Sequence, residues 1–138
     1  MEKKEFDTQT KGMACEFLTI GKLFKKGLQT TFTVGNAKSI DIFAQNQKGN
    51  KYAVQVKGAT PPFQLGKEDI KENIIYVFIK LNSFLENEEY YIVKGSEILD
   101  NIGKFYISQY ENNKSPTRPS IGINALKEYE GKWEVFDE

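Results

Sequence analysis

Three residues of complementary chemistry, Asp41, Gln55 and Lys57, fall within one stretch, residues 33–57, TVGNAKSIDIFAQNQKGNKYAVQVK. Ile40, Ile42 and Ala44 alternate with Asp41 and Phe43, and Tyr52, Val54 and Val56 alternate with Ala53, Gln55 and Lys57. A period of two puts each set on one face of a strand, so the stretch predicts two strands joined by a polar turn. In an antiparallel hairpin whose register has even parity, Asp41 meets Gln55 or Lys57. An odd-length turn such as Lys48-Gly49-Asn50 supplies that parity, with Gly49 free to take a positive φ. A carboxylate, an amide and an ammonium then share one face of an otherwise apolar sheet. Sheet interiors hold such groups when they are paired or used. The simpler alternative is an ordinary Asp41–Lys57 ion pair.

The rest of the composition narrows the chemistry. The chain contains no histidine, which excludes Ser-His-Asp and Cys-His catalysis and His-ligated zinc. Acid–base work falls to carboxylates, lysine, tyrosine or metal-bound water. A single cysteine, Cys15, excludes an internal disulfide framework and a multi-cysteine zinc site, and suits a reducing compartment. Its place in a helical pattern makes it a core or boundary residue rather than a nucleophile. Nineteen basic and nineteen acidic residues cancel, so any contact with a polyanion must come from a local patch. The charged opening MEKKEFDTQTKG is unlike a signal peptide and no apolar run reaches the roughly twenty residues that span a bilayer, so a cytoplasmic location with no membrane contact is expected.

Elements that would carry the hairpin follow from periodicity. Residues 10–26 predict an amphipathic helix with Met13, Phe17, Ile20 and Phe24 inward, widened by Ala14, Leu18 and Leu23, and ended by Gly27. Glu16 lies at the edge of that stripe, and Lys22, Lys25 and Lys26 face solvent, as a solvated face or as phosphate contacts. Residues 28–34 predict a strand, 58–73 a loop with a helical turn near 67–71, 73–81 a strand buried on both faces, and 89–94 a further strand. Ser96 is the expected cap of a helix over 97–106, built on Ile98, Ile102 and Phe105. Residues 111–119 form a polar loop, and 121–129 a last helix with Ile123, Leu126 and Tyr129 inward. Trp133, Val135 and Phe136 close the core. Tyr90, Tyr91, Tyr106, Tyr110 and Tyr129 fit a core better than a base-stacking platform. The order of elements predicts an α/β (α+β) single domain over residues 1–138, with a mixed central sheet flanked by helices.

Gly12, Glu16, Gly27, the turn Gly35-Asn36-Ala37-Lys38, Asp41 and the Gln55-Val56-Lys57 strand together resemble the PD-(D/E)xK, or restriction-endonuclease-like, nuclease superfamily. The similarity is to small uncharacterised bacterial members with a Q-x-K strand. It covers residues 12–58 in detail; beyond them only the order of elements agrees, with YEGKWEVF similar to the Tyr-to-Trp ending of such domains.

The resemblance implies a restriction-endonuclease-like fold and a metal-dependent endonuclease that cuts phosphodiesters in DNA or RNA with Mg or Mn. Asp41 is then the main metal ligand, joined by the Gln55 amide oxygen, the Val56 carbonyl and Glu16. Lys57 orients and helps deprotonate the attacking water. Lys38 and Asn36 meet the substrate phosphate, although Asn36 also suits a plain tight turn. Gln55 departs from the stricter pattern by replacing a carboxylate, which removes one negative charge and weakens metal binding. An alternative is an inactive descendant of the fold, binding nucleic acid or acting as an antitoxin- or immunity-type protein-interaction module. Neutral net charge favours a homodimer or a partner protein that supplies specificity.

Overall fold

Asp7 starts the first helix, α1 (Thr8–Lys25), by accepting a hydrogen bond from the Thr10 amide at 2.7 Å, and Gly27, at a φ of +87°, follows its last turn. The computed structural model describes residues 7–33, 42–82, 87–106 and 119–138. Asn36, Lys38, Asp41 and Tyr110 lie outside the described residues, as does nearly all of the polar loop expected at 111–119.

The face that α1 buries differs from the expected stripe. Cys15, Thr19, Ile20 and Leu23 turn inward, whereas Met13, Phe17, Leu18 and Phe24 are exposed. Apolar side chains ring this helix, so periodicity does not fix its rotation, and the shape of the sheet beneath it decides. Thr19 enters the core with its hydroxyl satisfied, donating to the Cys15 carbonyl at 2.9 Å.

Beneath α1 lies a five-stranded mixed sheet. Its strands are β1 (Gln29–Phe32), β2 (Ile42–Gln45), β3 (Lys51–Ala59), β5 (Ile74–Lys80) and β6 (Glu89–Lys94), in the order β1-β2-β3-β5-β6. Between β3 and β5 comes the two-residue β4 (Phe63–Gln64), which pairs instead with β7 (Ser120–Ile121). All neighbours are antiparallel except β3 and β5. The β2–β3 register, Ile42↔Val54 through Gln45↔Lys51, has the even parity the alternation requires. Its odd-length turn occupies residues 46–50: Asn46 Oδ1 accepts from the Lys48 and Asn50 amides, both at 3.0 Å, and Gly49 takes a φ of +91°.

Going from β3 to a parallel neighbour demands a crossover. Residues 60–73 make it as a loop with one 3-10 turn, Lys67–Asp69, in line with the loop and helical turn expected near 67–71. Phe63, Leu65 and Ile70 are buried, so this segment is a wall of the core. Its backbone is tied down by Tyr106, whose hydroxyl donates to the Leu65 carbonyl at 2.6 Å, and by Tyr76, whose hydroxyl accepts from the Lys71 amide at 2.9 Å. β5 is buried from Ile74 to Ile79, as a strand covered on both faces must be.

Each face of the sheet carries its own apolar cluster. On one, Val54, Val56, Ile75, Val77, Ile79 and Ile92 meet α1; Phe136, with Trp133 and Val135, completes this side from the 3-10 segment Trp133–Asp137. On the other, Tyr76, Phe78, Tyr91 and Val93 pack with Phe63, Ile98, Phe105, Ile121 and Leu126. The helix expected at 97–106 is two, α2 (Gly95–Asp100) and α3 (Ile102–Phe105), and Lys94 rather than Ser96 precedes the first. Asn101 breaks it, at φ −135° and ψ 41°, with its side-chain amide donating to the Glu97 carbonyl at 2.9 Å. The last expected helix shrinks to α4 (Ile123–Leu126) and a 3-10 turn, Lys127–Tyr129, because Ile121 is drawn into β7. Among the described residues no helix is long and apolar enough to cross a membrane.

Candidate functional site

Gln55 and Lys57 sit two residues apart on β3, the strand bonded to β2 on one side and β5 on the other. Parallel partners share a face, so Gln55 stands beside Tyr76 and Lys57 beside Phe78, on the side away from α1. Gln55 is only 8% exposed; Lys57 is half-buried. Val56 points the other way, into the cluster under α1. Asp41 directly precedes Ile42, whose partner Val54 directly precedes Gln55.

Glu16 reaches this end of the sheet by another route. α1 approaches β3 at Gly58, where a Cβ would lie 2.1 Å from the Cys15 sulfur; only glycine admits the contact. At about 100° per residue, Glu16 falls between Cys15 and Ile20 on the arc turned to the sheet, and it is half-buried. α1 therefore carries Glu16 over the face opposite to Gln55 and Lys57, one residue from the Cys15–Gly58 contact. Cys15 itself is fully enclosed, and burial pushes its thiol up to about 11, reinforced by the charges of Glu88 and Glu16. A thiol so held is no nucleophile at neutral pH.

A groove of about 340 Å³ opens at this point, lined by Lys57, Gly58, Ala59, Thr60, Pro62, Phe63 and Gln64. Thr60 fixes one wall by donating its hydroxyl to the Leu81 carbonyl at 3.1 Å. Lys57 is the charged side chain of the lining.

The other end of β3 is anchored by a cluster that sequence patterns did not single out. Asn46, Asn50 and Tyr52 donate side-chain hydrogen bonds to the Glu138 carbonyl oxygen at 2.9, 2.6 and 2.6 Å. Lys48 donates to the Asp137 carbonyl at 2.9 Å, and Lys26 pairs with the Asp137 carboxylate at 3.3 Å. These contacts join residues far apart in sequence, so no local pattern signals them. Gly58, expected as the first residue of a loop, lies instead inside β3, where a glycine marks a close approach.

Chemically, the named donors (the Glu16 carboxylate, the Gln55 amide oxygen and the Val56 carbonyl) are all hard oxygens, the kind that suits Mg or Mn. Among the described residues no group of three or more His, Cys, Asp or Glu gathers to hold a metal ion.

No family model matches the chain, and no curated protein is similar to it in sequence. Its fold is similar to that of a solved structure, the bacterial homing endonuclease I-Ssp6803I, at 17% sequence identity and a TM-score of 0.51, over 69% of this chain and 74% of that one.

Proposed function

We propose that the chain is a metal-dependent endonuclease of the PD-(D/E)xK type, acting on phosphodiesters of DNA. The observation that carries this is the pairing of Gln55 and Lys57 on one face of the central strand, with Glu16 brought to the same end of the sheet by α1. Similarity of fold to a protein described as a homing endonuclease supports it.

Asp41, the residue before β2, is the main ligand for Mg or Mn. The Gln55 amide oxygen and the Val56 carbonyl complete the direct ligands, and Glu16, on the opposite face, acts on the cation through water. Such a cation, when bound, neutralises phosphoryl oxygens and lowers the pKa of a coordinated water. Lys57 orients the attacking water, assists its deprotonation and stabilises the charge that develops on phosphorus oxygens. Lys38 and Asn36 hold the substrate phosphate. RNA is the other substrate this chemistry admits. With no net charge to hold a polyanion, the protein acts in the cytoplasm as a homodimer or with a partner protein.

Purified protein with magnesium or manganese is expected to nick or cut duplex DNA. Asp41→Ala and Lys57→Ala should each abolish cleavage, a loss of 100-fold or more, roughly what a positioned acid–base or electrostatic group supplies, while circular dichroism stays unchanged. Cleavage that persists in both variants refutes the site.

One pair of observations favours a second reading, an inactive descendant that binds nucleic acid or a protein partner in the manner of an antitoxin or immunity protein. Gln55 carries no charge, and the described residues hold no acidic cluster. Absence of cleavage on any substrate, together with no heat of divalent-cation binding, selects it.

A further inference from the structure

The second apolar cluster covers β5 and β6 and reaches β3 at Ala53 and Ala59, but includes no residue of β1 or β2. What remains there is an open concavity of about 460 Å³ on the same face as Gln55 and Lys57. The registers arrange its side chains in rows across the three strands: Gln29, Gln45 and Lys51 in one, Thr31, Phe43 and Ala53 in the next. Gln55 and Lys57 continue the same face of β3 beyond Ala53. Gln29, Thr31, Phe43 and Lys51 are exposed, Phe43 at 44% although it is a large apolar ring.

We propose that this face is where duplex DNA is read and steered toward Lys57; the proposal rests on the nuclease reading and names the surface that would give it specificity. Charge complementarity selects the occupant. β1, β2 and β3 contain no acidic residue, while Lys51 sets a positive charge in the lining of the concavity. The remaining side chains are those that recognise base edges. Glutamine pairs bidentately with adenine, threonine bonds to several bases, and an exposed phenyl ring meets a thymine methyl. Spacing agrees as well: a two-residue step along a strand is about 6.6 Å, close to two base steps of about 3.4 Å each. Lys51 then contacts a phosphate and fixes register, whereas Gln29, Gln45, Thr31 and Phe43 specify sequence.

The test is binding of the intact protein to a fluorescent random-sequence duplex DNA, followed by anisotropy with calcium replacing magnesium. Lys51→Ala should weaken binding to all sequences alike and reduce the salt slope by about one. Gln45→Ala and Phe43→Ala should each cost roughly 5- to 150-fold on duplexes selected by the wild type, and relax preference at one base position. Wild-type affinity and selectivity in all three variants overturns the proposal, as does tighter binding of duplex RNA of matched sequence. The two readings fail separately. DNA cleavage with unaltered binding in the three variants removes the reading face and leaves the nuclease. Variant-sensitive DNA binding without cleavage keeps the face and removes the nuclease.

Discussion

Gln55 occupies a position where a charge would be hard to keep, 8% exposed and beside Tyr76. An amide can stand there uncharged and still offer an oxygen, whereas a carboxylate would need a cation to remain ionised. Gln55→Glu is therefore expected to lower the melting temperature in the presence of a chelator and to bind magnesium about tenfold more tightly by calorimetry, since affinity follows ligand charge. Unchanged affinity would remove position 55 from the ligand set. Cys15 gives a second residue-level expectation. With its thiol at about 11 and no exposure, it should resist alkylation at pH 8 in the native protein and react at once in denaturant. Its burial was legible from its place in a helical pattern. What was not legible was the rotation of the helix: Phe17 and Phe24 are as apolar as Ile20 and Leu23, and only the sheet's relief distinguishes them.

At the scale of elements, the alternation along β2 and β3 carried the most information. A period of two together with a glycine-bearing, odd-length turn was enough to anticipate the parity of the register, because both features are local; the register itself follows from a turn of residues 46–50, longer than Lys48-Gly49-Asn50. The loop over 58–73 with its turn near 67–71 was legible from its prolines and glycines, but not its role as a wall of the core, which depends on distant contacts such as Tyr106 on Leu65; the break at Asn101 was hidden because asparagine is tolerated inside a helical pattern. The seat of α1 on β3 should behave as a lock-and-key pair. Gly58→Ala forces a methyl against the Cys15 sulfur and is expected to cost about 1–3 kcal/mol by urea denaturation. Adding Cys15→Ala should recover part of that loss, a coupling that a double-mutant cycle measures and that independent sites would not show. Asn46 ties its own turn and the residue 136–138 segment together, accepting from Lys48 and Asn50 and donating to the Phe136 carbonyl at 3.1 Å. Asn46→Ala should therefore cost about 1–3 kcal/mol, the penalty for leaving partly buried polar groups unpaired.

Over the whole molecule, the aromatic residues set the alkaline limit of stability. Burial, the leading cause in each, pushes Tyr90, Tyr91 and Tyr129 up to about 12, with Glu88, Glu89 and Glu97 respectively adding to the effect; Tyr106 moves in the same direction. A folded-state value above the ordinary 10 means that the native protein holds these protons after the unfolded chain has released them. Their contribution is complete below about pH 10 and is lost as pH rises from there through 12. A spectrophotometric titration should show tyrosinate appearing late and together with loss of secondary structure; gradual ionisation at pH 10 with the fold intact would contradict it.

The parallel pairing of β3 with β5 has a dynamic consequence. Because β3 is paired with β5 from Ala53 to Ala59 and lies between two apolar clusters, its amides bonded to β5 should exchange with solvent only through global opening. The strand that bears Gln55 and Lys57 is thus held firmly in the sheet. A shift of α1, carrying Glu16 over this strand, is then a cheaper adjustment to a substrate than any movement of Gln55 and Lys57.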